Sequence, residues 1–222
     1  MLDEERTVVM KKQLLLVCFF IMAVTGLAQA ITIEWVCQAG ADTWDAGWIN
    51  LLESQGYTVN CQPAVYESLD ATEIATLNSR DLIVVSRTLR AARYDDGTEP
   101  IDWSNLTAPM LCMDGTATDT TDWNWFPGGS NEYIGKMEVK VPSHPYFAGV
   151  PLDENNLVDI ISFGNVDISP ATDAGNGDLL ATTEDGRVWF AKWDTGVQYW
   201  SGSSWQGSDL YTGAPRVFFG QV

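Results

Sequence analysis

Apolar residues come in short dense runs in the first half of the chain and in broken alternation in the second. Residues 31–37 (ITIEWVC) are β-branched and aromatic, the pattern of a buried strand. In residues 44–55, Trp48, Ile49, Leu51 and Leu52 gather towards one helical face; Asp42 or Thr43 can cap this segment and Gly56 stops it. Residues 57–61 predict a second strand. Residues 70–77 predict a short helix capped by Ser68 or Asp70, and residues 81–86 (DLIVVS) a third, fully apolar strand. A gap with a short helix at 103–106 leads to a fourth strand at 108–113 (APMLCM). Strands alternating with helices, in near-continuous apolar runs, predict a parallel sheet covered on both faces, with right-handed crossovers.

After Gly115 the texture changes. Residues 115–130 are rich in Thr, Asp, Gly and Trp and read as a long loop, and residues 134–141 (IGKMEVKV) alternate like a half-exposed strand. Residues 158–163, 178–183, 187–192 and 216–220 follow as short strands between Gly and Asp turns. Glu184-Asp185-Gly186 makes a hairpin of residues 179–192. There is no internal repeat and no low-complexity linker. The expected fold is α/β: a three-layer sandwich with a mostly parallel sheet and a β-rich second half, in one domain over residues 31–222.

Charge narrows the function classes. The 222 residues hold 12 Lys and Arg against 30 Asp and Glu, a net charge of −18. Electrostatic binding to nucleic acid or anionic lipid needs a basic surface and is excluded. Hydrophobic residues at 45% and aromatic residues at 11% supply a core that a disordered chain lacks. Residues 10–30 carry the three parts of a secretory signal: Lys11 and Lys12, the apolar run 14–24, and Ala28-Gln29-Ala30 as a small-x-small cleavage site. Met10 is then the initiator, since the acidic stretch 2–9 suits no signal. The apolar run is shorter than the ~20 residues of a membrane span. A lipid anchor at Cys18 is disfavoured by bulky Val17 before it and by the apolar run continuing past it. The expected mature chain is secreted, periplasmic or at the cell surface, without a membrane span.

Cys37, Cys61 and Cys112 remain in the mature chain. Cys37 and Cys61 each end a predicted strand, and in a βαβ unit those ends lie side by side. In an oxidising compartment this predicts a Cys37–Cys61 disulfide with Cys112 buried and unpaired. The other reading is three reduced core cysteines.

The stretch 81–115, a strand DLIVVSR, a loop and then APMLCMDG, resembles the class I glutamine amidotransferase-like fold, a flavodoxin-like three-layer sandwich. It looks most like the ThuA-like and other non-amidotransferase branches found in secreted bacterial proteins. LLESQGYTV near the end of the first helix, SHPYFAGV (143–150) and APRVFFG (214–220) fit the same resemblance, which spans residues 31–220. It implies one more helix after the last strand, whereas this sequence stops at Val222. In the family's catalytic branch a nucleophilic Cys sits on a P-V-L-G-I-C-x-G elbow. Set against Pro109-Met110-Leu111-Cys112-Met113-Asp114-Gly115, that position falls on Asp114. The family's His-x-Glu is also missing, because His144, the single His, precedes Pro145. The resemblance therefore implies the fold without glutaminase chemistry.

Several groups are candidates for chemistry, each with a plainer role beside it. Cys112 with His144 is the sharpest enzymatic pairing, since a thiolate needs a neighbouring base; against it, Cys112 alternates within an apolar strand. Asp114, at the carboxyl end of a parallel strand, stands where open α/β sheets bind ligands. With Asp119 and Asp122 it could bind Ca²⁺ through hard oxygen ligands, or the three form a solvated acidic loop. No cofactor is implied. Ser86 followed by Arg87, Arg90 and Arg93 suggests anion binding or neutralisation of local acid, and no G-x-S-x-G elbow or phosphate-cradling glycine loop accompanies it. Of the 10 tryptophans, Trp35, Trp48 and Trp189 fall on predicted elements and fill the core, whereas Trp123, Trp125, Trp200 and Trp205 lie in polar loops. There they either stack on sugar rings or tuck back over a core edge. Asn105-Leu106-Thr107 is a glycosylation sequon in a eukaryotic host.

Three functions are consistent with this pattern. The leading one is an exported, non-catalytic binding or structural domain, with carbohydrate or cell-surface components as partners. The others are a ThuA-like enzyme of sugar metabolism acting through Asp114, and an architectural module of a surface protein. A pocket lined by Asp114, His144 and loop tryptophans points to the enzyme and a flat exposed Trp row to the binder. Buried tryptophans over a filled strand-end cleft point to architecture.

Overall fold

The computed structural model describes residues 31–38, 45–63, 65–127, 131–133, 135–159, 166–169, 171–200 and 210–220. The proposed signal at 1–30, the cap candidates Asp42 and Thr43, and Trp205 lie outside these residues.

The chain forms an α/β fold on a nine-stranded mixed sheet. The first half supplies β1 (Thr32–Cys37), β2 (Thr58–Pro63), β3 (Leu82–Val85) and β4 (Met110–Cys112), with helices α1 (Ala46–Ser54), α2 (Ala71–Asn78) and α3 (Glu99–Asn105) between them. The second half adds β5 (Asn131–Tyr133), β6 (Met137–Val139), β7 (Leu157–Val158), β8 (Val166–Ile168), β9 (Asp178–Thr183), β10 (Val188–Trp193) and β11 (Arg216–Phe219). The sheet order is β2-β1-β3-β4-β11-β10-β9-β6-β7, and β5 and β8 make a separate antiparallel pair.

The expectation of a mostly parallel sheet is corrected by this order. Pairings from β2 to β11 are parallel and those from β11 to β7 antiparallel, so with β5–β8 the antiparallel pairings predominate. The reason lies in the connections. Parallel neighbours need a long crossover, which the first half provides as helices, whereas the turn at 184–186 can join only antiparallel strands. The predicted strand at 134–141 is realised as β6, which pairs with β9 and β7, while β5 just before it pairs with β8.

Alternation on the parallel strands explains their continuous apolarity. Ile33, Trp35, Leu82, Val84, Leu111, Val217 and Phe219 pack on one face with Trp48, Ile49 and Leu52 of α1. Val36, Ile83, Val85, Met110, Cys112 and Phe218 pack on the other with Leu77 of α2 and Trp103 of α3. Each strand thus feeds two cores, and the charges that fall on them, Glu34 in β1 and Arg216 in β11, are buried as well.

Local signals set the helix ends. Asp70 caps α2, accepting from the backbone N–H of Thr72 at 2.7 Å and Glu73 at 2.8 Å, while Glu73 accepts from the Asp70 N–H at 2.9 Å. This reciprocal capping box makes Asp70, rather than Ser68, the cap. The other end of α3 is held by Arg216, fully buried at the start of β11. Its guanidinium donates to the carbonyls of Ala108 (3.0 Å), Ser104 (3.2 Å) and Leu106 (2.5 Å), with longer bonds to Trp103 and Pro215. Gly213 enters the same junction, its N–H donating to Ser104 O at 2.8 Å, and an added Cβ would stand 2.6 Å from two α3 carbonyl oxygens. Among the described residues no helix is long and apolar enough to cross a membrane.

Candidate functional site

In space the parallel strands run β2-β1-β3-β4-β11, the order of a doubly wound sheet with the last strand in fifth place. Ligands of such sheets bind beyond the carboxyl ends, at the point where the order reverses, here between β1 and β3. Ser86 follows β3 at that point and is fully buried. Its hydroxyl donates to Asp45 at 2.6 Å, and the Thr88 hydroxyl donates to the other Asp45 oxygen at 3.0 Å. Asp45 precedes α1 but makes no side-chain cap there; its carboxylate ties the start of that helix to the end of β3. Both hydroxyls are therefore engaged by one carboxylate, which anchors them at the end of β3. Beside this lock, Arg93 pairs with Glu67 at 2.7 Å, and Gln38 donates to the same carboxylate at 3.2 Å. Arg93 holds the Glu67 carboxyl below its usual range, so this member of the arginine group neutralises local acid.

The loop after β4 closes over the next strand ends. Asp114, 2% exposed, accepts from the N–H groups of Thr116 at 2.8 Å and Ala117 at 3.1 Å. Asp119 accepts from Thr121 through its N–H at 2.8 Å and its hydroxyl at 2.7 Å, and from the Asp122 N–H at 3.2 Å. These carboxylates organise successive turns. Asp122 is buried beside Asp119 and Asp95, and burial followed by the charge of Asp119 pushes its carboxyl up to about 8. The candidate Ca²⁺ ligands Asp114, Asp119 and Asp122 do not form a metal site: among the described residues no group of three or more His, Cys, Asp or Glu could hold a metal ion. Asp114 and Asp119 already serve backbone donors, and burial disfavours the charged form of Asp122.

The Cys112–His144 pairing is also corrected. Cys112 lies fully buried in the core on the α3 side of the sheet, its thiol pushed well up by burial and donating weakly to Asp114 O at 3.5 Å. His144 accepts from the Tyr146 N–H at 3.3 Å and stacks edge-on against that ring, which packs on the opposite core. The sheet stands between thiol and imidazole.

Of the loop tryptophans, Trp123, Trp125 and Trp200 are core residues, not exposed platforms. Trp123 and Trp125 are 0% exposed and Trp200 is 6% exposed. Trp123 stacks on Trp103 with centroids 4.8 Å apart and donates to Tyr94 O at 2.8 Å. Trp125 stacks on Tyr199 at 5.0 Å, and Trp200 donates to Asn124 O at 3.0 Å. Loop polarity hid this outcome, because the Asp and Thr side chains satisfy the loop's own backbone while the rings turn inward. Trp35, Trp48 and Trp189 are buried as expected.

Asp45 and Glu99, both buried, escaped sequence reasoning, and so did two buried charges on strands. Glu34, 3% exposed in β1, accepts from Tyr66 at 2.7 Å and Arg80 at 2.8 Å. Arg216 was readable only as the start of a strand. The signal in both cases is a single charge inside an otherwise apolar strand.

Comparison of the chain with protein-family models, curated proteins and solved structures gave no match. Function has to be argued from the residues themselves.

Proposed function

We propose that the protein is an exported, non-catalytic α/β module of amidotransferase-like organisation that serves an architectural role at or beyond the cell surface. The observation that carries this reading is the burial of the strand-end residues among those described. Ser86, Asp114, Asp119, Asp122 and Trp123, the residues placed where such a sheet takes a ligand, are all buried: Ser86 bonds Asp45, Trp123 bonds the Tyr94 carbonyl, and Asp114 and Asp119 accept from their own loop. The parallel order β2-β1-β3-β4-β11 supports the amidotransferase-like likeness, and Asp114 at the elbow position supports the loss of its chemistry. A net charge of −18 keeps copies of such a module apart and soluble.

Thermal unfolding of the full chain across a panel of soluble glycans, Ca²⁺ and EDTA tests the reading. A ligand of the folded state at ~100 times its Kd adds about 2.7 kcal/mol. The architectural reading expects a flat panel. A dose-dependent rise with one glycan, or a fall with EDTA, would overturn it in favour of a sugar or metal site.

A further inference from the structure

We propose that Cys37 and Cys61 are joined by a disulfide that fastens the edge strand β2 to its inner neighbour β1. β2 stands at one end of the sheet and pairs with β1 alone. Their parallel register sets Cys61 opposite Trp35 and Cys37 opposite Pro63, so the two cysteines are diagonal neighbours turned to the α1 side. Their sulfurs approach to 3.0 Å, about 1 Å beyond the ~2.05 Å of a disulfide bond. No residue of β2 is fully buried, so apolar packing contributes less to holding this strand than to holding its neighbours. A bond between residues 37 and 61 closes a loop that contains all of α1, which makes a covalent tie effective in restricting the unfolded chain.

The two sulfurs differ in access, and this sets the order of the chemistry. Cys61 is half-buried and Cys37 is 1% exposed. The Cys61 thiolate attacks a small external disulfide such as glutathione disulfide, forming a mixed disulfide and expelling one thiolate. The Cys37 thiolate then attacks the Cys61 sulfur and expels the second. The two cysteines lose two protons and two electrons, and the external disulfide gains them as two thiols. Cys112 does not compete, since it is buried on the opposite face of the sheet.

The test is to refold the full chain in a mixture of reduced and oxidised glutathione, alkylate remaining thiols, and cleave at glutamate. Glu53 lies between the two cysteines, so the expected product is residues 35–53 linked to residues 54–67, parting on reduction. Reductant should lower the thermal midpoint of the wild type by on the order of 10 °C for a loop and chain of this size. It should leave a Cys37→Ser, Cys61→Ser double variant unmoved. Alkylation of both cysteines, linkage of either to Cys18 or Cys112, or a wild-type midpoint indifferent to reductant would each overturn the proposal. None of these outcomes depends on whether the module is architectural.

Discussion

Arg216 makes a demanding test of how the two halves of the chain are joined. It is fully buried, and among the described residues no carboxylate pairs with it. Its charge is instead held by the carbonyl end of α3, where the helix dipole is negative, and by the Ala108 carbonyl just before β4. Replacing it with methionine keeps much of the volume but takes the guanidinium donors from Leu106 and Ala108, while Ser104 keeps the bond from the Gly213 N–H. Orphaned buried carbonyls cost about 1–3 kcal/mol each, offset in part by removing a buried charge, so Arg216→Met should destabilise by about 3–5 kcal/mol. Arg216→Lys keeps the charge but loses the planar fork, and should fall between the two, at about 1–3 kcal/mol. Urea unfolding followed by tryptophan fluorescence measures both, with the slope checked for constancy. If methionine leaves too little folded protein, the lysine variant still gives a graded answer. A loss below ~1 kcal/mol for methionine, or a lysine variant equal to wild type, would refute the view that this side chain clamps β11 to α3.

Three other outcomes follow from the site. The folded-state carboxyl of Asp122 lies at about 8 against ~3.9 unfolded, so the native state binds this proton more tightly; the associated stability is present below about pH 4 and lost as pH rises through 8. Asp122→Asn should therefore gain about 2–4 kcal/mol over wild type at pH 9 and little at pH 4, and equal gains at both in urea titrations would contradict the assignment. Trp123→Ala removes a stacked ring and a buried hydrogen bond and should cost about 3–5 kcal/mol, with loss of near-ultraviolet circular dichroism from the Trp103 stack; unchanged stability would show the ring to be exposed after all. Cys112 should react with a disulfide reagent only as the protein unfolds, and rapid labelling of the native state would show an accessible thiol instead.

A perturbed carboxyl in this position is also an ordinary mark of a functional site, and that tension bears on the proposed role. A catalytic acid must touch its substrate, yet Asp122 and Asp119 are 8% and 7% exposed and their loop is spent on its own turns. Replacing a carboxyl strained by function and one strained by burial would both stabilise the fold, so stability alone does not separate them. The ligand panel does: a glycan that shifts the wild type and not Asp122→Asn would assign the strain to binding.

How much of this could be read from the sequence depended on how local the deciding interaction was. The capping box at Asp70 and Glu73 spans four residues, and the strands before Gly115 carry their own β-branched runs, so these were legible. In the sheet's second half the strands at 178–183, 187–192 and 216–220 and the hairpin at 179–192 were legible too, but the remaining strand neighbours were not, because a short strand does not encode its partner. β11 lies between β4 and β10, and Arg216 at its start meets carbonyls more than 100 residues earlier. The tryptophans failed in the same way. Nothing near Trp123 or Trp125 in sequence announces Trp103 or Tyr199, the rings on which they stack. Their Asp- and Thr-rich surroundings describe the loop backbone's hydrogen bonds, and those bonds are what let the loop turn its rings inward. The polarity that suggested an exposed sugar platform is therefore part of the cause of its burial.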